Sequence, residues 1–204
     1  MPTEPVFGPR RSALQALARA AGITSLAAGW PALLHAQVLP ATPSCGPDEE
    51  AATAAQVEGP FYKRATPERM SLVDSGMEGE RLTLSGQVVT TRCRPLPGAW
   101  LDFWQADAHG RYDTEGYRLR GHLIADADGR YRLETIVPGG YPGRTRHIHV
   151  KIGPAGGRVL TTQLYFPDEP LNRRDGLYLP ALQIALARDA RGAQGRFDFV
   201  LRAS

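Results

Sequence analysis

The sequence predicts an all-β fold, a β-sandwich core of short antiparallel strands with long loops and little helix. Three observations carry this. Short runs alternate apolar and polar residues with the period of two that a half-buried strand requires. Turn formers, 22 Gly and 17 Pro in 204 residues, lie scattered between those runs rather than in tandem. Only the stretch LYLPALQIALARDA, residues 177–190, has helical character, and Pro180 limits it.

Residues 1–36 read as an export signal. Arg10-Arg11 precedes an Ala/Leu-rich stretch that ends in Leu-His-Ala before Gln37. A basic start, a modest apolar run and a small terminal residue are signal-peptide logic, and paired arginines suggest the twin-arginine route. The motif is incomplete, since Pro9 precedes the pair and Arg19 interrupts the apolar region. With Gly22, Gly29 and Pro31 inside it, the run is too short and too broken for a stable membrane span. Residues 37–57 are rich in Pro, Ala and Glu and read as an N-terminal arm or linker. The sandwich domain is expected over residues 58–204. Most of the net charge of +3 sits in the leader, on Arg10, Arg11 and Arg19 against Glu4. No basic stripe remains in the body, which argues against nucleic acid as a partner. Cys45 and Cys93 both follow the leader. An even count in an exported chain permits a disulfide between them; two unrelated buried thiols are the alternative.

Strands are expected in RLTLSGQVVT (81–90), AWLDFWQADA (99–108), the two halves of GHLIADADGRYRLETIVPGGYPG (121–143), RHIHVKIGP (146–154) and RVLTTQLYF (158–166). Asp128-Gly129 reads as a hairpin turn. The tail GRFDFVLRAS (195–204) alternates again and would make a last strand.

The chemistry concentrates around Gly139-Gly140-Tyr141-Pro142-Gly143-Arg144-Thr145-Arg146-His147-Ile148-His149. On a strand, His147 and His149 point to one face while Ile148 serves the other. Two imidazoles so placed can share one metal ion, and imidazole suits iron, zinc and copper. Taken alone, HxH fits two ordinary core or surface histidines equally well. Its company narrows the choice. Tyr141 sits on a Gly-Pro-rich turn and Tyr112 follows a second turn, His109-Gly110-Arg111. Phenolates are hard anionic donors and favour a trivalent ion. No cysteine lies beside the motif, which disfavours iron–sulfur and thiolate-zinc sites.

The runs DFWQADAHGRYD, GHLIADADGRYRLETIVPGGYPGRTRHIHVKI and LTTQLYF closely resemble the intradiol ring-cleavage dioxygenases, most of all the protocatechuate 3,4-dioxygenase-like branch. EGPFY with an upstream cysteine, and a second cysteine before a Pro-Leu-x-Gly-Ala turn, resemble an exported subgroup. The resemblance implies a β-sandwich holding a mononuclear non-haem Fe(III), with catechol-type substrates and O2 as partners and a cis,cis-muconate-type diacid as product. It implies Tyr112, Tyr141, His147 and His149 as iron ligands, with Tyr141 the axial donor that leaves and takes a phenolic proton when catechol arrives. Arg144 falls on the family's arginine and would stabilise negative charge on the ring. Gln163 falls on its pocket glutamine. Phe61 and Tyr62 stand where the entrance segment begins and are expected to line the substrate pocket. Gly143 departs from the pattern: relatives handling protocatechuate place a bulky aromatic there, so the pocket wall is left open. The sequence leaves open a homo-oligomer. The competing reading is a non-catalytic exported sandwich that binds aromatic or carbohydrate ligands.

Overall fold

In the computed structural model, which describes residues 52–202, the strand-like runs form two sheets. The first contains β1 (Arg81–Thr90), β4 (Arg130–Ile136), β7 (Ala185–Asp189), β8 (Gly192–Arg196) and β9 (Phe199–Leu201). Its order is β4-β1-β8-β7, with β9 also pairing β1. The second contains β2 (Trp100–Gln105), β3 (Arg120–Ile124), β5 (His147–Gly153) and β6 (Leu160–Tyr165), in the order β3-β2-β5-β6. The apolar faces meet in one core that includes Leu82, Leu84, Phe103, Leu133, Ile148 and Val150, all at most 1% exposed. Each such side chain contributes about 1.5–3 kcal/mol by leaving water.

Four expectations change. Asp128-Gly129 is a tight turn, in which the Asp126 carboxylate accepts the amides of Asp128 and Arg130. It is not a hairpin, because β3 pairs β2 while β4 crosses to pair β1 in the other sheet. A turn sequence fixes local reversal; the burial of both flanking strands decides which sheet each joins. Residues 177–190 form no α-helix. A 3-10 turn spans Pro180–Leu182, and Ala185–Asp189 then pairs antiparallel with β8. The open edge of β8 outcompetes local helix propensity, as tertiary context commonly does. The tail is two strands, β8 and β9, broken at Phe197-Asp198. Both run parallel to β1, so the pairing is antiparallel except there.

The break has a visible cause. Phe197 swings its carbonyl over Gly86, where a Cβ would lie 1.8 Å from the oxygen. Tyr131 donates its hydroxyl to the same carbonyl at 2.8 Å, and the Asp198 carboxylate takes the Gln87 amide at 2.9 Å.

Residues 52–72 lace the sheet edges together. Thr53 bonds Val200 in both directions, Gln56 donates its amide to Thr161 on β6, and Arg69 donates to His122 on the β3 edge. Leu72 and Met70 bracket Glu134 on the β4 edge. Unpaired edges invite pairing with other chains, and this segment covers the open sides of four strands, β9, β6, β3 and β4. Cys93 lies in the turn after β1 and is not a free thiol; Cys45 falls outside the described residues. The expected export signal and most of the expected arm also fall outside them. Among the described residues no helix is long and apolar enough to cross a membrane.

Gly86→Ala should cost about 3 kcal/mol, at the upper end of overpacking penalties, because the obstacle is backbone. Urea unfolding measures this; an unchanged midpoint would mean that the β8–β9 break relaxes freely.

Candidate metal centre

Strand register assembles the site. Arg120, Trp104, His149 and Gln163 are successive cross-strand partners on β3, β2, β5 and β6. Paired residues share a face, so these four form a row across the outer face of the second sheet. One pleat along β5, His147 pairs with Tyr165. Ile148, Val150 and Ile152 alternate with the histidines and enter the core.

Two loops bring the phenols to this face. The Asp107 carboxylate accepts the amides of His109 and Arg111 and so shapes the turn that delivers Tyr112. Asp113 caps the next turn through Glu115, Gly116 and Arg118. Burial raises an Asp pKa, but in both residues these bonds outweigh it and the carboxylates titrate below their usual range. The second loop is a two-residue Pro142-Gly143 turn, closed by Arg144 N–H to Tyr141 O at 2.8 Å. Gly143 has φ +81°, which suits that turn, and no atom lies within 4 Å of the Cβ it lacks. The loops touch, since a Cβ on Gly110 would lie 2.3 Å from Gly140 O.

All four expected donors converge. Ring centroids are 4.8 Å apart for His147 and His149, 5.7 Å for Tyr141 and His147, 6.0 Å for Tyr112 and Tyr141, and 6.3 Å for Tyr112 and His149. His147 Nδ1–H donates to Thr145 O at 2.7 Å, leaving an Nε2 lone pair 3.3 Å from Tyr112 Oη. A carbonyl on one ring nitrogen is the usual way to aim the other at a metal. His149 stacks on Trp104 at 4.8 Å and 6°, and its buried Nδ1 has no hydrogen-bond partner.

Burial pushes the His147 pKa down to about 4, and the Arg144 charge adds to this. His149 is pushed well below the ordinary value by burial, then by His147. Both imidazoles are therefore neutral, as ligands must be. Burial, then Tyr141, raises the Tyr112 pKa far above its usual value, so its phenolate needs a cation for company. Among the described residues no cluster of three or more His, Cys, Asp or Glu side chains forms a metal site. The set is half phenolic. Its chemistry fits a hard trivalent ion, whose charge two phenolates and one hydroxide would balance.

Arg144 reaches Tyr141 Oη with Nη1 at 3.5 Å, Asp175 with Nε at 3.0 Å, and Gln163 Oε1 with Nη2. Burial opposes its charge, and the Asp175 carboxylate more than offsets this. Both ends of the Gln163 amide are engaged: Oε1 also accepts from Tyr165 Oη at 3.2 Å, and Nε2 donates to Val57 O at 2.9 Å. It steadies Arg144 rather than facing outward. Phe61 stacks on Tyr112 at 4.3 Å and 12°. Tyr62 lies one layer back, against Trp104 and bonded to Asp102 at 3.1 Å.

Three further basic side chains stand apart from the donors. His109 pairs with Glu78 on the surface, His122 bonds Thr66, and Arg146 pairs with Glu169 at 3.3 Å. Asp175, Asn172 and Arg120 had no signal in the sequence. Arg120 is 1% exposed and donates to the carbonyls of Phe61 and Asp113 behind Tyr112. Such backbone partners leave no mark in side-chain patterning.

Fold and donors define the class: a β-sandwich with an oxygen-rich, neutral-imidazole centre on one outer sheet face. Residues 57–203 match the family model Dioxygenase_C, described as dioxygenase. The chain belongs to the intradiol ring-cleavage dioxygenase family. Catechol 1,2-dioxygenase of Acinetobacter baylyi is 30% identical over 158 residues, 63% of this chain and 51% of its own. The protocatechuate 3,4-dioxygenase beta chain of Burkholderia cepacia is 36% identical over 118 residues, 49% of this chain and 50% of its own. The chain thus spans about half the length of these curated relatives. Among solved structures, the dioxygenase domain of a dioxygenase carbohydrate-binding protein fusion from Streptomyces sp. SirexAA-E is 53% identical with TM-score 0.73, over 75% of this chain and 99% of that one. The 3-chlorocatechol 1,2-dioxygenase of Rhodococcus opacus is 28% identical with TM-score 0.69, over 74% and 73%.

The buried histidines set an acid limit. Unfolded, an imidazole binds its proton near 6.5; folded, His147 does so only near 4. The unfolded chain therefore holds more protons between these values, and the fold loses stability as pH falls from about 6.5 to about 4. Asp102, whose pKa burial raises, works in the opposite sense. The Tm of metal-free protein should drop through this window. The His147→Gln/His149→Gln double variant should flatten the slope; an unchanged slope would assign it to other groups.

Proposed function

We propose that this protein is a ferric intradiol dioxygenase that opens a catechol-type ring with O2 to a cis,cis-muconate-type diacid. The observation that carries the reading is the convergence of Tyr112, Tyr141, His147 and His149 beside an anchored Arg144. The four would hold one non-haem Fe(III). Bound there, the ion supplies Lewis acidity toward a chelating catechol and activates its ring toward O2.

The protein's own groups do the rest. Tyr141 is the donor best placed to leave: it is half-buried on a two-residue turn, whereas Tyr112 is packed under Phe61. With iron bound, Tyr141 Oη would be the base able to take one of the two catechol protons. Arg144 then faces the developing negative charge with a cation that Asp175 and Gln163 hold in place. A preorganised charge of this kind does not have to reorient during reaction. Phe61, partly exposed and stacked on Tyr112, gives the site an aromatic wall that suits a flat ring, while Trp104 is buried and backs His149. Gly143 leaves the pocket side by Tyr141 open to a substituent.

Export by the twin-arginine route and a Cys45–Cys93 disulfide belong to the same reading. Their support is the Arg10-Arg11 leader and the absence of a free thiol at Cys93.

Mature protein loaded with Fe(III) should be coloured by tyrosinate charge transfer, and anaerobic catechol should shift the band. Under O2, Tyr141→Phe should bind catechol yet turn over at least ~100-fold more slowly, as loss of a general base does. Colourless protein with confirmed bound iron would remove both tyrosine assignments and favour the binding-module reading.

A further inference from the structure

The loop from Phe166 to Leu177 lies against the centre and supplies none of its donors, yet it carries a buried carboxylate. The Asp175 side chain is 1% exposed. Its Oδ2 accepts from Arg144 Nε at 3.0 Å and from the Thr145 amide at 2.9 Å, while Oδ1 accepts the Leu177 amide at 2.9 Å. Asn172, on the 3-10 turn Pro170–Arg173, accepts from Thr145 Oγ1 at 2.8 Å. It donates Nδ2 to Phe166 O at 2.9 Å. The remaining polar atom of Thr145, its carbonyl oxygen, accepts Nδ1–H of His147.

We propose that Asp175 is a positioning residue for both halves of the centre: it orients Arg144 directly and His147 through Thr145, with Asn172 as the second tether. This rests on the functional reading above and assigns a role that no iron ligand performs. Thr145 is 0% exposed, and its three polar groups have no access to water. Two are held by this loop, so the direction of the third, the carbonyl that aims His147, is set by the loop as well. Arg144 depends on the Asp175 Oδ2 that also holds the Thr145 amide. Without Asp175 it keeps Gln163 and a contact to Tyr141 of 3.5 Å, which is too long to fix its plane. One carboxylate oxygen thus ties the guanidinium to the peptide that precedes Arg146-His147. A displacement of the loop would disturb charge stabilisation and metal geometry together.

Asp175→Asn keeps size and removes the charge. Asn172→Ala cuts the tether to Thr145 and leaves the Arg144–Asp175 pair in place. The first readout needs neither metal nor substrate. In metal-free protein labelled with 15N-histidine, the shielded Nδ1–H of His147 should exchange slowly, and both variants should speed its exchange at least ~10-fold relative to a distant amide. The second is Fe(III) affinity, expected to fall about 10- to 100-fold in Asp175→Asn, the range for outer partners of metal ligands. The third is steady-state turnover: kcat falls about 10- to 100-fold with KM for catechol within about twofold, because Arg144 acts on charge that develops after binding. Asp175→Glu should restore part of kcat. If Asp175→Asn lowers Tm but leaves exchange, affinity and kcat unchanged, Asp175 merely holds the loop and the proposal fails. If Asp175→Asn does not fold, unchanged exchange in Asn172→Ala overturns the tether. Should wild-type protein turn over no catechol, the functional reading fails on its own, and exchange and Fe(III) affinity still decide the role of Asp175.

Discussion

The pleat of β5 is the constraint on which the rest depends. One strand must send Ile148, Val150 and Ile152 into the core and His147 and His149 to the opposite face. A slip of one residue would bury the imidazoles among hydrocarbons and expose three branched side chains. Core packing therefore fixes the register, and the register fixes the spacing of the imidazoles. It also decides their company, because pairing with β2 and β6 sets Trp104 and Gln163 beside His149.

Loops carry the other half of the centre, and loops are rarely rigid without help. Here carboxylates supply it. Asp107 and Asp113 shape the two turns around Tyr112, and Asp175 anchors the entry to β5. Each of these carboxylates sits below its usual pKa because the hydrogen bonds it accepts outweigh the cost of burial. They act as fixed anions that organise backbone, which leaves the donor face to phenols and neutral imidazoles. The electrostatics of the face are consistent with that division. Charged imidazolium is disfavoured, phenolate is disfavoured without a cation, and Arg144 keeps its charge through a dedicated partner.

The segment from 52 to 72 links this chemistry to the fold. It closes sheet edges with backbone hydrogen bonds and, between them, crosses the donor face. Val57 accepts from Gln163, Phe61 covers Tyr112, and Glu58 pairs with Lys151. Edge protection and site roofing are thus one structural element, so its sequence answers to both demands.

Much was legible in the sequence because it depends on period and residue type. The alternation in RLTLSGQVVT defined β1 to the residue, and HxH placed two imidazoles on one face before any contact was known. The resemblance singled out Tyr112, Tyr141 and Arg144, which the fold gathers beside those imidazoles, whereas Gln163 turns to Arg144 and Val57 instead of outward. What failed depended on distant partners. Residues 177–190 look helical until β8 offers an edge, and Asp128-Gly129 looks like a hairpin until β4 finds β1. Asp175, Asn172 and Arg120 gave no warning, because each acts through a backbone group or a side chain distant in sequence. The sequence by itself determined which side chains alternate and which donor types lie on one face. Only the tertiary structure decided which strands are neighbours and which buried polar atoms hold the donors still. The reason is physical: periodicity is local and is written in consecutive residues, whereas pairing and hydrogen-bond satisfaction are settled by whatever the folded chain brings within reach.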